Sequence, residues 1–236
     1  SWANAMLTKP QQEVLHDTVA TFVKAIYKSL CALVWGRDNE PVHVVGLHLL
    51  RAMVEGLQSA QFRNAMPRMS EQVRHMVKEN YAISHLHRKL ATRTSKEKPT
   101  DEGKMALVHL LTAMCTKWKD VAIANWIRKA GVVDALVLML GAPGGRSRGQ
   151  TGQSMSADRN DLIIATSVLI TWMARIPDVD ENAWRERRKA IATEDVGRFL
   201  VHTLQHPQIS MRVARELLQA MKWLTKDNTN VETFWG

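Results

Sequence analysis

Nine histidines and two cysteines are the residues of this chain that metal or nucleophile chemistry would draw on. Their spacing argues against both. His85 and His87 are two apart, so on a helix they point to different sides, whereas a helical ligand pair needs a separation of three or four. His43 with His48, and His202 with His206, lack Cys or carboxylate companions at ligand spacing, and Pro207 takes His206 out of the helix that carries His202. The run Gly141–Gly152 has the glycine content of a phosphate-binding loop but lacks Gly-Lys-Ser/Thr and follows no strand. Asp178, Asp180, Glu181 and Glu186 fall in a charged segment expected to be exposed, unlike the desolvated pair that acid–base chemistry favours. No Ser-His-Asp triad can be read from spacing, because triads are defined by geometry. The expectation is a non-enzyme with no catalytic, cofactor or metal residues.

The remaining chemistry is that of recognition. Ile209–Thr225 carries one apolar stripe, Ile209, Val213, Leu217, Ala220 and Leu224. Arg212, Arg215, Gln219, Lys222 and Lys226 lie opposite it, and Trp223 falls outside the stripe. A half-exposed Trp among cations has the composition of a binding hot spot. Trp223, Arg215, Gln219, Lys222, Lys226 and Arg212 are therefore the expected partner-binding residues, suited to an acidic or amphipathic protein segment. Trp172 projects into an apolar stripe and is expected in the core. The net charge of +9 favours acidic partners, an acidic protein segment first and nucleic acid as the alternative. The densest basic cluster, Arg185, Arg187, Arg188 and Lys189 interrupted by Glu186, reads as a solvated face.

These residues need a scaffold, and the chain of 236 residues with 45% apolar content is long enough for one sizeable core or one elongated stack. Charged residues make up 23%, which argues against global disorder. No apolar run approaches the ~20 residues of a membrane-spanning helix, and Ser1–Pro10 lacks the pattern of a secretory signal. Cys31 and Cys115 sit far apart within apolar helical patterns, so both read as buried free thiols in a reducing compartment, cytoplasm or nucleus. The chain starts at Ser1 without an initiator Met and reads as a domain excised from a longer protein.

The periodicity predicts helices almost throughout. Gln11–Trp35 repeats Leu15, Val19, Phe22, Ile26, Leu30 and Leu33 at three- and four-residue steps. Pro41 suits the first turn of a second helix, with stripe Gly46, Leu47, Leu50, Met53, Val54 and Leu57. A third is expected over Ser70–Ala91, followed by a polar connector, Thr92–Thr100. Thr100 or Asp101 can cap the next, with stripe Leu107, Leu111, Met114, Cys115 and Trp118. Asp120 caps a short helix that Gly131 ends, and Val132–Leu140 is another short helix. Gly141–Arg159 is a Gly/Ser-rich loop. Leu162–Ile176 is apolar on almost every side and should lie between two neighbours. Asp180–Ala192 is a charged helix and Glu194–Leu204 an apolar one. No strand or hairpin pattern occurs.

Two segments match. Val132, Leu136, Val137 and Leu140 align with Val196, Leu200, Val201 and Leu204 at an offset of 64 residues. Setting aside the 19-residue segment Gly141–Arg159 as an insertion brings the offset to 45, near the period of about 40 in helical repeats. Val196–Asn228, with Phe-Leu-Val-His-Thr-Leu-Gln-His-Pro and then Glu-Leu-Leu-Gln-Ala-Met-Lys-Trp-Leu, resembles the armadillo-repeat family, as do Gly131–Leu140 with Leu162–Ala174. Met105–Trp118 resembles the end of an earlier unit, and Val44–Leu57 is a weaker match. The resemblance implies an all-α, right-handed α-solenoid of armadillo/HEAT-like helical repeats, whose long third helices line a concave groove that holds a peptide or a helix of a partner. Importin-α-type members place Trp four residues before Asn on those helices. Here Trp172 and Trp223 stand near the Asn position, with Val168 and Gln219 four residues earlier, so classical nuclear-signal binding is not expected.

The expected organisation is one armadillo-like domain over 1–236. Residues 1–100 form capping or divergent repeats, and 101–236 hold the clearer repeats and the 141–159 insertion. The expected role is a scaffold or adaptor module of a larger intracellular protein, cytoskeletal and ciliary proteins being among the families that carry such domains. The Phe234-Trp235 tail offers a surface that folds back or meets a second copy.

Overall fold

The computed structural model describes residues 8–35, 40–57, 64, 71, 101–140 and 157–226. The expected helix over Ser70–Ala91, the connector Thr92–Thr100 and the Phe234-Trp235 tail lie outside these residues, apart from position 71. All elements among the described residues are helices. The chain divides into two compact units, Ser1–His85 and Leu86–Gly236.

In the first unit α1 (Lys9–Trp35) packs against α2 (Glu40–Leu57). Leu47, Leu50 and Val54 bury one face of α2, as its sequence stripe predicts, and Val44, outside that stripe, joins them. The stripe of α1 behaves otherwise: Leu15, Phe22 and Ile26 are exposed, Phe22 at 65%.

The second unit contains α3 (Asp101–Trp118), α4 (Val121–Lys129), α5 (Val132–Leu140), α6 (Ala157–Arg175), α7 (Glu181–Ile191), α8 (Glu194–Leu204) and α9 (Met211–Leu224). The long helix α6 is its centre. It packs along α3 and along α9, and also meets α5 and α7. Of its residues, Leu162, Ile163, Ala165, Thr166, Ser167, Leu169, Ile170, Met173 and Ala174 are buried, which leaves no single apolar face. Such all-round burial is what an all-round apolar sequence demands. Two of its hydroxyls are satisfied locally: Ser167 Oγ donates to the Ile163 carbonyl at 2.8 Å and Thr171 Oγ1 to the Ser167 carbonyl at 2.8 Å, whereas the buried Thr166 Oγ1 has no hydrogen-bond partner among the described residues.

Short connections fix the other helices. Lys119 adopts a left-handed φ of 48° after α3, and its N–H reaches the Cys115 carbonyl. Asp120 then caps α4, accepting from the Ala122 N–H at 2.7 Å. Gly131, at φ 67°, ends α4, and its carbonyl begins α5 by accepting from the Ala135 N–H. Asp180, Thr193 and Ser210 cap α7, α8 and α9. Thr193 also donates from Oγ1 to Asp134 Oδ1 at 3.0 Å, which ties the starts of α5 and α8 together. The start of α6 differs from expectation. Ala157, Asp158 and Arg159 are helical, not loop, and Arg159 Nη2 donates to the last carbonyl of α5, at Leu140, at 2.7 Å. A polar first turn anchored in this way extends the helix beyond its apolar run.

Candidate functional site

The anticipated partner-binding residues sit on α9 and just past its end. Val213, Leu217, Ala220, Met221 and Leu224 face inward. Arg212, Arg215, Gln219, Lys222 and Lys226 are exposed, and Trp223 is half-buried. Arg212 lies 3.7 Å from Asp161 on α6, and Arg215 lies 3.1 Å from Glu216. Both pairs include a well-exposed partner and contribute little to stability. The same exposed surface carries Met211 (87% exposed) and Leu218 (53% exposed), so it presents apolar groups among its cations. These two large apolar side chains, Met211 before Arg215 and Leu218 between Arg215 and Lys222, give it an amphipathic character that the sequence stripe had concealed.

Trp223 does not stand alone. The Arg175 guanidinium, at the end of α6, lies 5.8 Å from the Trp223 ring centre and 5.1 Å from that of Trp172. The Lys226 ammonium lies 5.2 Å from Trp223 and 4.8 Å from Trp184 on α7. Arg188 lies 4.3 Å over Trp184. Three indoles and three cations thus alternate across the ends of α6 and α9 and the middle of α7, each contact within the range where a ring quadrupole attracts a cation. The Trp184 indole Nε1 donates to the Ala174 carbonyl at 2.8 Å, which pins the ladder to the last turn of α6. Among the described residues neither Arg175 nor Lys226 has a carboxylate within ion-pair distance.

Sequence reasoning assigned Trp172 to the core; the fold leaves it half-buried with Arg175 over its ring. It missed Trp184, Arg175 and Arg188. A signal was available, because each ladder Trp precedes a cation by three or four residues: Trp172 and Arg175, Trp184 and Arg188, Trp223 and Lys226. Trp126 and Lys129 share that spacing without such a contact among the described residues. What distinguishes the ladder is that helices distant in sequence bring their pairs together.

The basic cluster of α7 is a solvated face only in part: Arg185 and Lys189 are exposed, but the other two cations are not. Arg187 and Arg188 are 2% and 1% exposed. Arg187 donates to the Ile176 carbonyl and lies 3.4 Å from Asp178. Burial lowers its pKa, and Asp178 opposes that shift. Asp178 thus answers a buried cation and is not part of an open acidic patch. Cys115 is a buried free thiol, as expected, and burial pushes its pKa up to about 12 against the pull of Arg187. The side chain of Cys31 lies outside the described residues. His202 lies in the last turn of α8 and His206 stands beyond the helix in the turn, where its Nδ1 accepts from the Gln208 N–H. Among the described residues no group of three or more His, Cys, Asp or Glu is placed to hold a metal ion, and no helix is long and apolar enough to cross a membrane.

Comparison with protein-family models, with characterised proteins and with solved structures gives no match.

Proposed function

We propose that this chain is a non-catalytic protein-binding module, a scaffold or adaptor domain built as an armadillo/HEAT-like stack, and that α9 presents its partner-binding surface. The stack reading takes α4–α5–α6 and α7–α8–α9 as two successive three-helix units, with α3 the last helix of a preceding one. Like positions adjoin: α3 lies along α6 and α6 along α9, α5 meets α8, and α4 meets α7. A unit that cannot bury its apolar face alone, stacked on its neighbours, is the physical basis of a solenoid.

The observation that carries the binding reading is the surface of α9. It combines exposed Met211 and Leu218, a half-buried Trp223 and the cations Arg215, Lys222 and Lys226. Aromatic and cationic anchors beside apolar surface are what binding hot spots are made of. Capture from native lysate with mass spectrometry, comparing wild type with the Trp223→Ala/Lys222→Glu double variant, tests it. Specific partners should be depleted about tenfold or more from the variant, the effect of losing one hot-spot residue. An unchanged set of captured proteins, with helical content intact by circular dichroism, would sink the proposal. The nucleic-acid alternative gains less support, because bases would have to displace Arg175 and Lys226 from the indole faces before stacking on them. Electrophoretic retardation of duplex and single-stranded DNA and RNA separates the two.

A further inference from the structure

We infer that the Trp172–Arg175–Trp223–Lys226–Trp184 ladder is an acidic-peptide receptor, taking carboxylates on Arg175 and Lys226 with an apolar residue between them against Trp223. The inference rests on the binding reading above and names the chemistry of the partner. It also moves the centre of the site from the middle of α9 to the junction of α6, α7 and the end of α9.

Three features support it. The first is uncompensated charge. Arg175 and Lys226 are both exposed, and no carboxylate among the described residues lies within ion-pair distance of either. The nearby acid Asp178 is engaged by the buried Arg187, and Lys222 adds a further exposed cation one turn before Lys226. The second is preorganisation. Each of the two cations rests between two indoles, Arg175 between Trp172 and Trp223, and Lys226 between Trp223 and Trp184. A long cationic side chain normally loses much rotamer freedom when it grips an anion, and here that freedom is already reduced before the ligand arrives. Each cation contacts two rings, and its N–H groups directed away from them are free to donate to a carboxylate. The third is the half-buried indole of Trp223 between the two cations, which offers apolar contact at the centre of the site. Together these match an extended segment with acidic residues flanking an apolar one.

The ladder also ties α6, α7 and α9 together, and that contribution to folding is compatible with a receptor role. The two roles separate experimentally, because a charge-reversed variant that stays folded yet binds an anion less tightly reports on binding and not on stability. The test is fluorescence anisotropy of the full chain with a fluorescein-labelled peptide of repeating Glu-Leu-Glu-Gly, alongside its Gln-for-Glu counterpart. The acidic peptide should bind, and the Gln peptide should not. Arg175→Glu/Lys226→Glu should weaken binding about tenfold or more. The charge-matched control Arg198→Glu/Lys129→Glu, at exposed cations outside the ladder, should change it less than about twofold. Arg175→Gln/Lys226→Gln keeps side-chain bulk and serves if the Glu variant unfolds. Equal loss in the ladder and control variants would reduce the effect to net charge and overturn the inference. Absence of acidic-peptide binding, or preference for a single-stranded oligonucleotide of equal charge, would also overturn it. Depletion of captured partners by Trp223→Ala/Lys222→Glu would stand in either case, so failure of the ladder is distinguishable from failure of the binding module.

Discussion

Arg187 and Cys115 show how a single side chain is governed by the company it keeps. Both are buried and near enough for their charges to interact. Desolvation disfavours the thiolate and also the guanidinium cation, so Asp178 and the Ile176 carbonyl are what make a buried arginine tolerable. For Cys115 the consequence is a pH dependence of known sign. Its thiol ionises near the ordinary 9.0 when unfolded and at about 12 when folded. Below the first value both states hold the proton and nothing is lost. Between the two the unfolded chain releases its proton first, so stability falls as pH rises through that window. Thermal unfolding followed from neutral pH to the alkaline limit should show a steeper loss of Tm for the wild type than for Cys115→Ala. Parallel slopes would exclude Cys115 as the source. The burial of Arg187 and Arg188 was the least legible feature of the sequence, since four cations around one Glu resemble a wet surface. Only the three- and four-residue steps Trp184, Arg187 or Arg188, and Ile191 mark the inward face of that helix.

At the scale of elements the helix ends were far more legible than the side-chain environments. Asp120 and Gly131 fulfil the cap and stop roles that their types imply, because capping is a local transaction between a side chain and backbone groups two or three residues away. Lys119 was not legible: a lysine at left-handed φ follows from the two-residue link between α3 and α4, not from any preference of its own. Glycine there removes the Cβ strain, so Lys119→Gly should raise the unfolding free energy by about 1 kcal/mol in urea denaturation. A loss of similar size would mean that the lysine side chain holds the link. The apolar character of α6 was legible, together with its place between two neighbours, while its first turn was not, since Arg159 is anchored by a carbonyl 19 residues earlier. The ladder lies at the same limit. Its Trp–cation spacings are written in three separate helices, and only tertiary packing decides that three of them meet.

Across the second unit, one helix carries the cohesion. Because α6 is buried on all sides, what covers it decides whether the unit folds. From α9 alone, Val213, Leu217, Met221 and Leu224 are buried large side chains, and at about 1.5–3 kcal/mol each they approach the ~5–15 kcal/mol stability of a whole domain. A chain ended after Leu204 should therefore lose cooperative thermal unfolding, as followed by circular dichroism; a sharp transition retained in that chain would show that α3, α5 and α7 suffice to hold α6. The central position of α6 also bears on how the protein fails in a cell. A transient lifting of α9 uncovers a greasy helix with no polar side to shield it, and such a surface sticks to its like in other copies faster as concentration rises. Occupancy of α9 by the proposed partner would oppose that lifting by mass action. Unbound protein in excess of its partner would then be the pool from which aggregates grow, and the ratio of the two chains would set the lifetime of this one.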